Sequence, residues 1–169
     1  IIVRFFNTVG PRQTGRYGMV LPNFVRQALA GEPITVYGTG DQQRCFGHVQ
    51  DAVEALLRLI GNPNAIGGVF NVGSDEEVSI RQLAEMVRDA AGSESPIAYV
   101  PYAEAYAEGF EDMHRRIPDL TRLQAMIDFR PTMPLRSIIA DVVAEQRARP
   151  ADLQRRHQHM PGAGQQVGQ

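Results

Sequence analysis

Residues 4–16, Arg-Phe-Phe-Asn-Thr-Val-Gly-Pro-Arg-Gln-Thr-Gly-Arg, contain the pattern that decides the fold of this chain. Ile-Ile-Val precedes this stretch, and the apolar run over residues 1–6 predicts a buried β-strand. Gly10 and Pro11 end that strand, and a polar loop follows. Ligands of open parallel sheets bind outside the carboxyl ends of the strands, where Asn7 would lie. Its carboxamide could contact a phosphate or hydroxyl group, or it could merely close a turn at the strand end.

The composition is that of one globular domain. With 169 residues, 43% of them apolar and 21% charged, the chain has room for a single core. Its net charge of −2 gives no electrostatic reason to expect nucleic acid or a membrane surface as a partner. All 17 basic residues are arginines, which codon bias explains as well as phosphate binding does. The single cysteine, Cys45, excludes an internal disulfide, and no apolar run is long enough to span a membrane, so we expect a cytoplasmic protein.

Helices that alternate with short strands are predicted along the rest of the chain. Apolar residues at 21, 24, 25 and 28, followed by Gly31, predict a helix over 19–31. Asp51 and Glu54 have the spacing of a capping box and predict the start of a second helix. The large apolar residues of that helix are Val53, Leu56, Leu57 and Ile60. Further strands are predicted at 34–37, 70–73 and 97–100. A helix over 79–92 would be opened by Ser79 and Gln82, and a short helix through Ile127 would be capped by Asp119. A last helix is predicted over 135–147, with five apolar residues buried: Leu135, Ile138, Ile139, Val142 and Val143.

Two segments show no helical or strand period. Residues 102–118 form an irregular stretch, which in a compact domain is usually functional or disordered. Residues 149–169 have almost no apolar side chains and are predicted to be a disordered tail. His157 and His159 in that tail are interpreted as solvated residues and not as metal ligands.

Three segments resemble a known family. Residues 4–12 are similar to the sixth strand and following loop of extended short-chain dehydrogenases that modify sugar nucleotides, the NAD-dependent epimerase/dehydratase family. UDP-glucose 4-epimerases and UDP-glucuronate decarboxylases belong to it. Residues 42–51, Gln-Gln-Arg-Cys-Phe-Gly-His-Val-Gln-Asp, resemble the family pattern Gln-x-Arg-x-Phe-x-x-Val-x-Asp. Residues 116–119, Arg-Ile-Pro-Asp, resemble its Arg-x-Pro-Asp.

The resemblance implies an α/β fold and a piece of a longer enzyme. Residues 1–148 would form the last strand or strands of an NAD-binding Rossmann-type sheet plus the small mixed α/β substrate-binding lobe. The family's Gly-x-x-Gly-x-x-Gly turn and its Tyr-x-x-x-Lys pair are absent, and the chain has no lysine at all. We therefore expect NAD to be bound mainly by an N-terminal half outside this sequence and the 169-residue chain alone to be inactive. A homodimer of the intact enzyme is compatible with the resemblance.

The resemblance also assigns substrate-binding roles to five residues. Arg44 and Arg116 would contact the diphosphate of a UDP-sugar through charge-assisted hydrogen bonds, and Asn7 would contact the same phosphates. Tyr37 matches a position beside the uracil ring, and Val20 matches one that offers backbone groups to the base. The structural alternatives are solvated surface positions for the arginines and packing in the lobe for Tyr37.

Several functions remain compatible with these patterns. The favoured one is the sugar-nucleotide-binding portion of an epimerase or dehydratase that acts by transient oxidation at C4. A UDP-glucuronate decarboxylase of the same family is an alternative, although Phe110 stands where some decarboxylases have a tyrosine that contacts the substrate. A stand-alone nucleotide-binding module without catalysis is another. Cys45 and His48 are interpreted as packing residues, and we predict neither a catalytic residue nor a metal site in this chain.

Overall fold

The computed structural model describes residues 1–13, 19–102 and 113–149. The helices are α1 (Val20–Ala30), α2 (Val49–Ile60), α3 (Ile80–Ala90), α4 (Thr121–Ile127) and α5 (Leu135–Ala148), with a 3-10 turn at Pro63–Ala65. The strands are β1 (Ile2–Phe5), β2 (Thr8–Val9), β3 (Ile34–Tyr37), β4 (Gln43–Cys45), β5 (Gly47–His48), β6 (Val69–Val72), β7 (Glu77–Ser79), β8 (Ile97–Val100) and β9 (Arg115–Arg116). None of these helices is long and apolar enough to cross a membrane.

The strands pair in small, mainly parallel sheets. β1 pairs with β6, β2 with β5 and β3 with β8, each in parallel. β4 lies between β7, its antiparallel neighbour, and β9, its parallel neighbour. Parallel partners cannot be joined by a tight turn and need a crossover, which the intervening helices supply here. This is the mixed α/β architecture that the sequence predicts.

The larger core lies among helices α1, α3 and α5 and strand β3. In α1 the residues at the predicted helical spacing are buried, and Gly31 ends the helix in the left-handed conformation with φ at +68°. The first turn of α3 is closed by the predicted capping box, in which Ser79 and Gln82 exchange hydrogen bonds with each other's backbone N–H groups. The five apolar residues predicted to be buried in α5 are all buried. Local periodicity and capping therefore predicted these three helices correctly.

A second, smaller core joins α2, α4 and β6. Its buried members are Ala52, Ala55, Leu59, Ala65, Phe70, Val72, Leu123 and Phe129. On α2 the buried stripe consists of two alanines and a leucine, whereas Leu57 is 62% exposed and Val53 and Ile60 are exposed as well. The apolar residues of α2 form two stripes, and the one with small residues packs in the cluster that also contains Phe70, Leu123 and Phe129. The large apolar residues that predicted α2 in the sequence are thus not the residues that are buried in the structure.

Two further expectations need correction, and a third nearly holds. Strand β1 is present but not buried, since Ile2 is 61% and Phe5 52% exposed. Among the described residues β1 pairs with one strand, β6. The apolar run therefore predicted the strand correctly but not its exposure. Helix α2 begins at Val49 with His48 as its N-cap, so Asp51 does not cap it. Asp119 is close to its predicted role, because its carboxylate accepts a hydrogen bond from the Thr121 N–H at the start of α4.

Some predictions concern residues outside the described ranges. These are the disordered tail beyond Arg149 with its two histidines, the loop arginine Arg16, and Phe110. They stay predictions.

Candidate functional site

A cleft of about 630 Å³ is lined by residues of α1, β2, β3, β4 and β9. All five residues that the sequence selected for substrate binding line it. They are Asn7, Val20, Tyr37, Arg44 and Arg116. The structure therefore brings together side chains that are up to 109 positions apart along the chain.

Asn7 connects three segments of the chain at one end of the cleft. Its Nδ2 donates a hydrogen bond to the carbonyl oxygen of Cys45 at 2.8 Å, and its Oδ1 accepts one from the Arg116 guanidinium at 2.8 Å. Its φ of +39° lies in the left-handed region, which asparagine tolerates better than most residues. The side chain does not close a local turn. It holds the guanidinium of Arg116 in place beside β4.

The two arginines lie side by side on neighbouring strands. Arg44 of β4 and Arg116 of β9 are register partners in a parallel pair, which places their side chains on the same face. Arg44 is buried and donates from Nη1 to the carbonyl oxygen of Gln43 at 2.8 Å, whereas Arg116 is exposed. Among the described residues that line the cleft there are three arginines and no aspartate or glutamate. The third of these, Arg26 of α1, is paired with Glu32 at 2.6 Å, so the positive charge of this face comes from Arg44 and Arg116, and it suits an anion.

Arg115, the residue before Arg116 on β9, points away from the cleft. It is also exposed, but it does not line the cleft, and its Nε donates at 3.1 Å to Glu77 of β7, on the other side of β4. This hydrogen bond holds the pKa of the Glu77 carboxyl below its usual value. Successive residues of β9 thus point in opposite directions, one toward the cleft and one toward a carboxylate.

A second group of lining residues belongs to β3 and α1. Tyr37, the last residue of β3, exposes about two fifths of its surface, 41%, and its ring borders the cleft. Val20 is the first residue of α1, and the N-cap residue Met19 makes no side-chain hydrogen bond to the helix. The backbone N–H groups of Val20 and Leu21 have no acceptor within the helix, and both residues line the cleft.

Sequence reasoning missed several polar side chains that line the cleft, among them Gln27, Thr35 and Gln42. Gln27 and Thr35 are paired through two hydrogen bonds of 3.0 and 3.1 Å. Gln42 donates from Nε2 to the Tyr37 carbonyl oxygen at 3.2 Å. The signal for Gln42 was present, since it is the glutamine of the Gln-x-Arg pattern and lies two positions before Arg44. Gln27 carries no comparable signal, because its partner lies on a different element.

Cys45 and His48 behave as packing residues. The Cys45 thiol is fully buried, and desolvation raises its pKa to about 11 although Arg116 opposes the shift. A thiol in such a position is a poor nucleophile. His48 is buried and accepts the Gln50 N–H at its Nδ1, which caps α2. The described part of the chain contains no group of three or more His, Cys, Asp or Glu residues arranged to hold a metal ion.

Comparison with solved structures identifies the fold class of the chain. The fold matches that of UDP-glucose 4-epimerase from Thermotoga maritima, solved with UDP-glucose, with a TM-score of 0.74 and 27% identity over 86% of this chain and 45% of that one. It also matches UDP-glucuronic acid 4-epimerase from Bacillus cereus, solved with UDP-glucuronic acid and NAD, with a TM-score of 0.77, 23% identity and coverage of 87% and 45%. The chain thus has the fold of part of a Rossmann-type extended short-chain dehydrogenase.

The sequence comparisons agree. Residues 1–73 match the model of the NAD dependent epimerase/dehydratase family. A UDP-N-acetyl-alpha-D-glucosaminuronate decarboxylase from Bacillus cytotoxicus is 42% identical over 133 residues, which are 78% of this chain and 41% of the relative. The resemblance to the NAD-dependent epimerase/dehydratase family is therefore confirmed. The chain spans less than half the length of the relative and of the two solved structures described above.

Proposed function

We propose that residues 1–148 are the sugar-nucleotide-binding portion of an NAD-dependent nucleotide-sugar epimerase or dehydratase that acts by transient oxidation of the sugar at C4. The observation that carries this proposal is the convergence of Asn7, Arg44 and Arg116 on one cleft. The favoured ligand is a UDP-sugar, because the similar structures are of proteins solved with UDP-glucose and UDP-glucuronic acid.

In this proposal, different residues of the cleft bind the diphosphate and the base of the ligand. The paired guanidinium groups of Arg44 and Arg116 would bind the diphosphate, and Asn7 would contribute by fixing the orientation of Arg116. The ring of Tyr37 would stack on the base, and the first turn of α1 at Val20 would offer backbone groups to it. Binding energy gained at the nucleotide would orient the distant sugar for reaction.

NAD is the cofactor that this function requires. When bound, it would accept a hydride from the sugar and return it. We propose that residues outside the present sequence bind most of it, since the glycine-rich turn and the Tyr-x-x-x-Lys pair are not found here. Thr8, which lines the cleft, has a buried hydroxyl oxygen without a hydrogen-bond partner among the described residues, and this atom is available to a bound ligand. The chain by itself would bind a nucleotide but not catalyse the reaction.

Titration calorimetry of the 169-residue chain with UDP tests the binding role. The wild-type chain should bind UDP, and Arg116→Ala should weaken binding about tenfold or more, as expected for the loss of a charge-assisted hydrogen bond. The matched control is Arg115→Ala, which removes the same charge from the same strand but on the face away from the cleft. Absence of UDP binding, or equal effects of the two variants, would contradict the proposal.

A decarboxylase of this family is the second candidate. The relative with 42% identity is a decarboxylase, whereas the two epimerase structures are 27% and 23% identical. The candidates are separated in the enzyme that carries this portion together with its cofactor-binding half. Release of carbon dioxide from UDP-glucuronic acid would establish a decarboxylase, and its conversion to the 4-epimer without gas release would establish an epimerase. A chain that binds UDP but whose parent catalyses neither reaction would be a nucleotide-binding module.

A further inference from the structure

A buried histidine outside the cleft is held in one protonation state by its hydrogen bond. His48 is 1% exposed and is not among the described residues that line the cleft. Its Nδ1 accepts a hydrogen bond from the Gln50 N–H at 3.2 Å, and this bond caps α2. A backbone N–H can only donate, so Nδ1 carries no proton. The proton of the neutral ring therefore lies on Nε2.

The Nε2 atom of His48 is buried and has no hydrogen-bond partner among the described residues. The carboxylate of Asp141 on α5 lies 3.7 Å from it, which is beyond hydrogen-bond distance, and the Asp141 side chain is 45% exposed. The ring is thus fastened to α2 through Nδ1 and only faces α5 through Nε2.

The charged groups around the ring come from the elements that pack against β5, which are β2, α2 and α5. Strand β2 has no titratable side chain. On α2 the carboxylate of Asp51 is bonded to the loop before α5, and Glu54 is paired with Arg58. Among the described residues, Asp141 of α5 therefore supplies the carboxylate that faces His48.

Protonation of the His48 ring would place a proton on Nδ1, opposite the Gln50 N–H. Two donors would then face each other, and α2 would lose its cap hydrogen bond. The positive charge would also be buried, which is unfavourable unless a partner compensates for it. Asp141 compensates weakly, because water screens an ion pair with a half-exposed member. The folded chain therefore favours the neutral ring, whereas an exposed histidine becomes charged below about pH 6.5.

We propose that His48 is a proton-sensitive latch, which fastens the start of α2 to β5 while its ring is neutral and which acid opens. Only the opened ring takes up a proton, so the stabilisation is fully present above about pH 6.5 and is lost as the pH falls. Strand β5 pairs with β2, whose Thr8 lines the cleft, and the latch consequently lies one strand behind the cleft. It does not depend on which ligand the cleft binds.

The test is urea unfolding of the 169-residue chain at pH 7.5 and pH 5.5. Because of His48, the unfolding equilibrium constant of the wild-type chain should be about tenfold larger at the lower pH. In His48→Asn this contribution should be absent, since the asparagine oxygen can still cap α2 but takes up no proton. His114→Asn is the matched control, because His114 is exposed and the variant should keep the wild-type difference.

NMR of the imidazole nitrogens gives a second readout, which a purely structural role would not require. His48 should show a protonated Nε2 and an unprotonated Nδ1, and it should stay neutral in the folded chain at pH 5.5, where His114 is charged. Titration of His48 in parallel with His114 would overturn the proposal. A wild-type chain that gains stability in acid relative to His48→Asn would also overturn it, since the pairing with Asp141 would then dominate. The NMR titration uses the wild-type chain and decides the matter even if the variant does not fold.

Discussion

The buried carboxylate of Asp51 offers the sharpest test of the fold, because sequence and structure assign it different partners. In the sequence it looks like a helix cap that acts together with Glu54. In the structure its two oxygens accept hydrogen bonds from the loop before α5. The donors are the Thr132 N–H at 3.2 Å, the Thr132 hydroxyl at 2.7 Å and the Met133 N–H at 3.2 Å. Asp51 therefore tethers α2 to a segment 81 positions away.

The expected cost of Asp51→Ala follows from these three hydrogen bonds. A typical hydrogen bond contributes about 1 kcal/mol net, and bonds to a charged group contribute more. Thr132 is exposed, so in the variant water can form hydrogen bonds with its N–H and hydroxyl groups. We therefore count about 1 kcal/mol for each of the three hydrogen bonds. We expect the free energy of unfolding to fall by about 3 kcal/mol. For a chain of this size that corresponds to a decrease in Tm of roughly 9 °C.

The assay is urea unfolding of the 169-residue chain followed by far-UV circular dichroism, with Glu54→Ala as the matched control. Glu54 lies on the same helix in an exposed ion pair with Arg58, so its removal should cost only about 0.3–0.5 kcal/mol. A capping box would instead make the two variants similarly unstable, since each residue would then serve the same helix end. Equal losses in the two variants would refute the tether.

Two further predictions concern the core and the buried thiol. Ile138→Ala should destabilise the chain by about 2–5 kcal/mol, because Ile138 is fully buried. Leu57→Ala, on the exposed stripe of α2, should change the stability by less than about 0.5 kcal/mol. Similar urea midpoints for the two variants would contradict the assignment of the core. The pKa of the Cys45 thiol is raised by burial from 9.0 to about 11, so its contribution to stability is fully present below about pH 9 and is lost as the pH rises toward 11. Unfolding free energies at pH 8 and 10.5 should therefore differ by about 2 kcal/mol more in the wild-type chain than in Cys45→Ala, and identical differences would show that the thiol ionises freely in the folded state.

The sequence by itself determined the features that depend on near neighbours. Helix α1 with its glycine cap and helix α3 with its Ser79–Gln82 capping box were predictable, because the groups that define each end lie within a few residues of each other. The five residues that the sequence selected for substrate binding also lie together at one cleft, and their binding roles stay predictions.

The tertiary structure alone decided which partner each of these groups meets. The apolar period of α2 fits two faces, and only the residues from other parts of the chain that join it in the smaller core determine that Ala52 and Ala55 are covered while Leu57 is not. In the same way the hydrogen bond from Arg116 to Asn7 and the unpaired oxygen of Gln42 depend on where distant strands lie. Local spacing specifies the conformation of a segment, but burial and hydrogen bonding are set by the surfaces that fold against it, and those surfaces are contributed by distant residues of the chain.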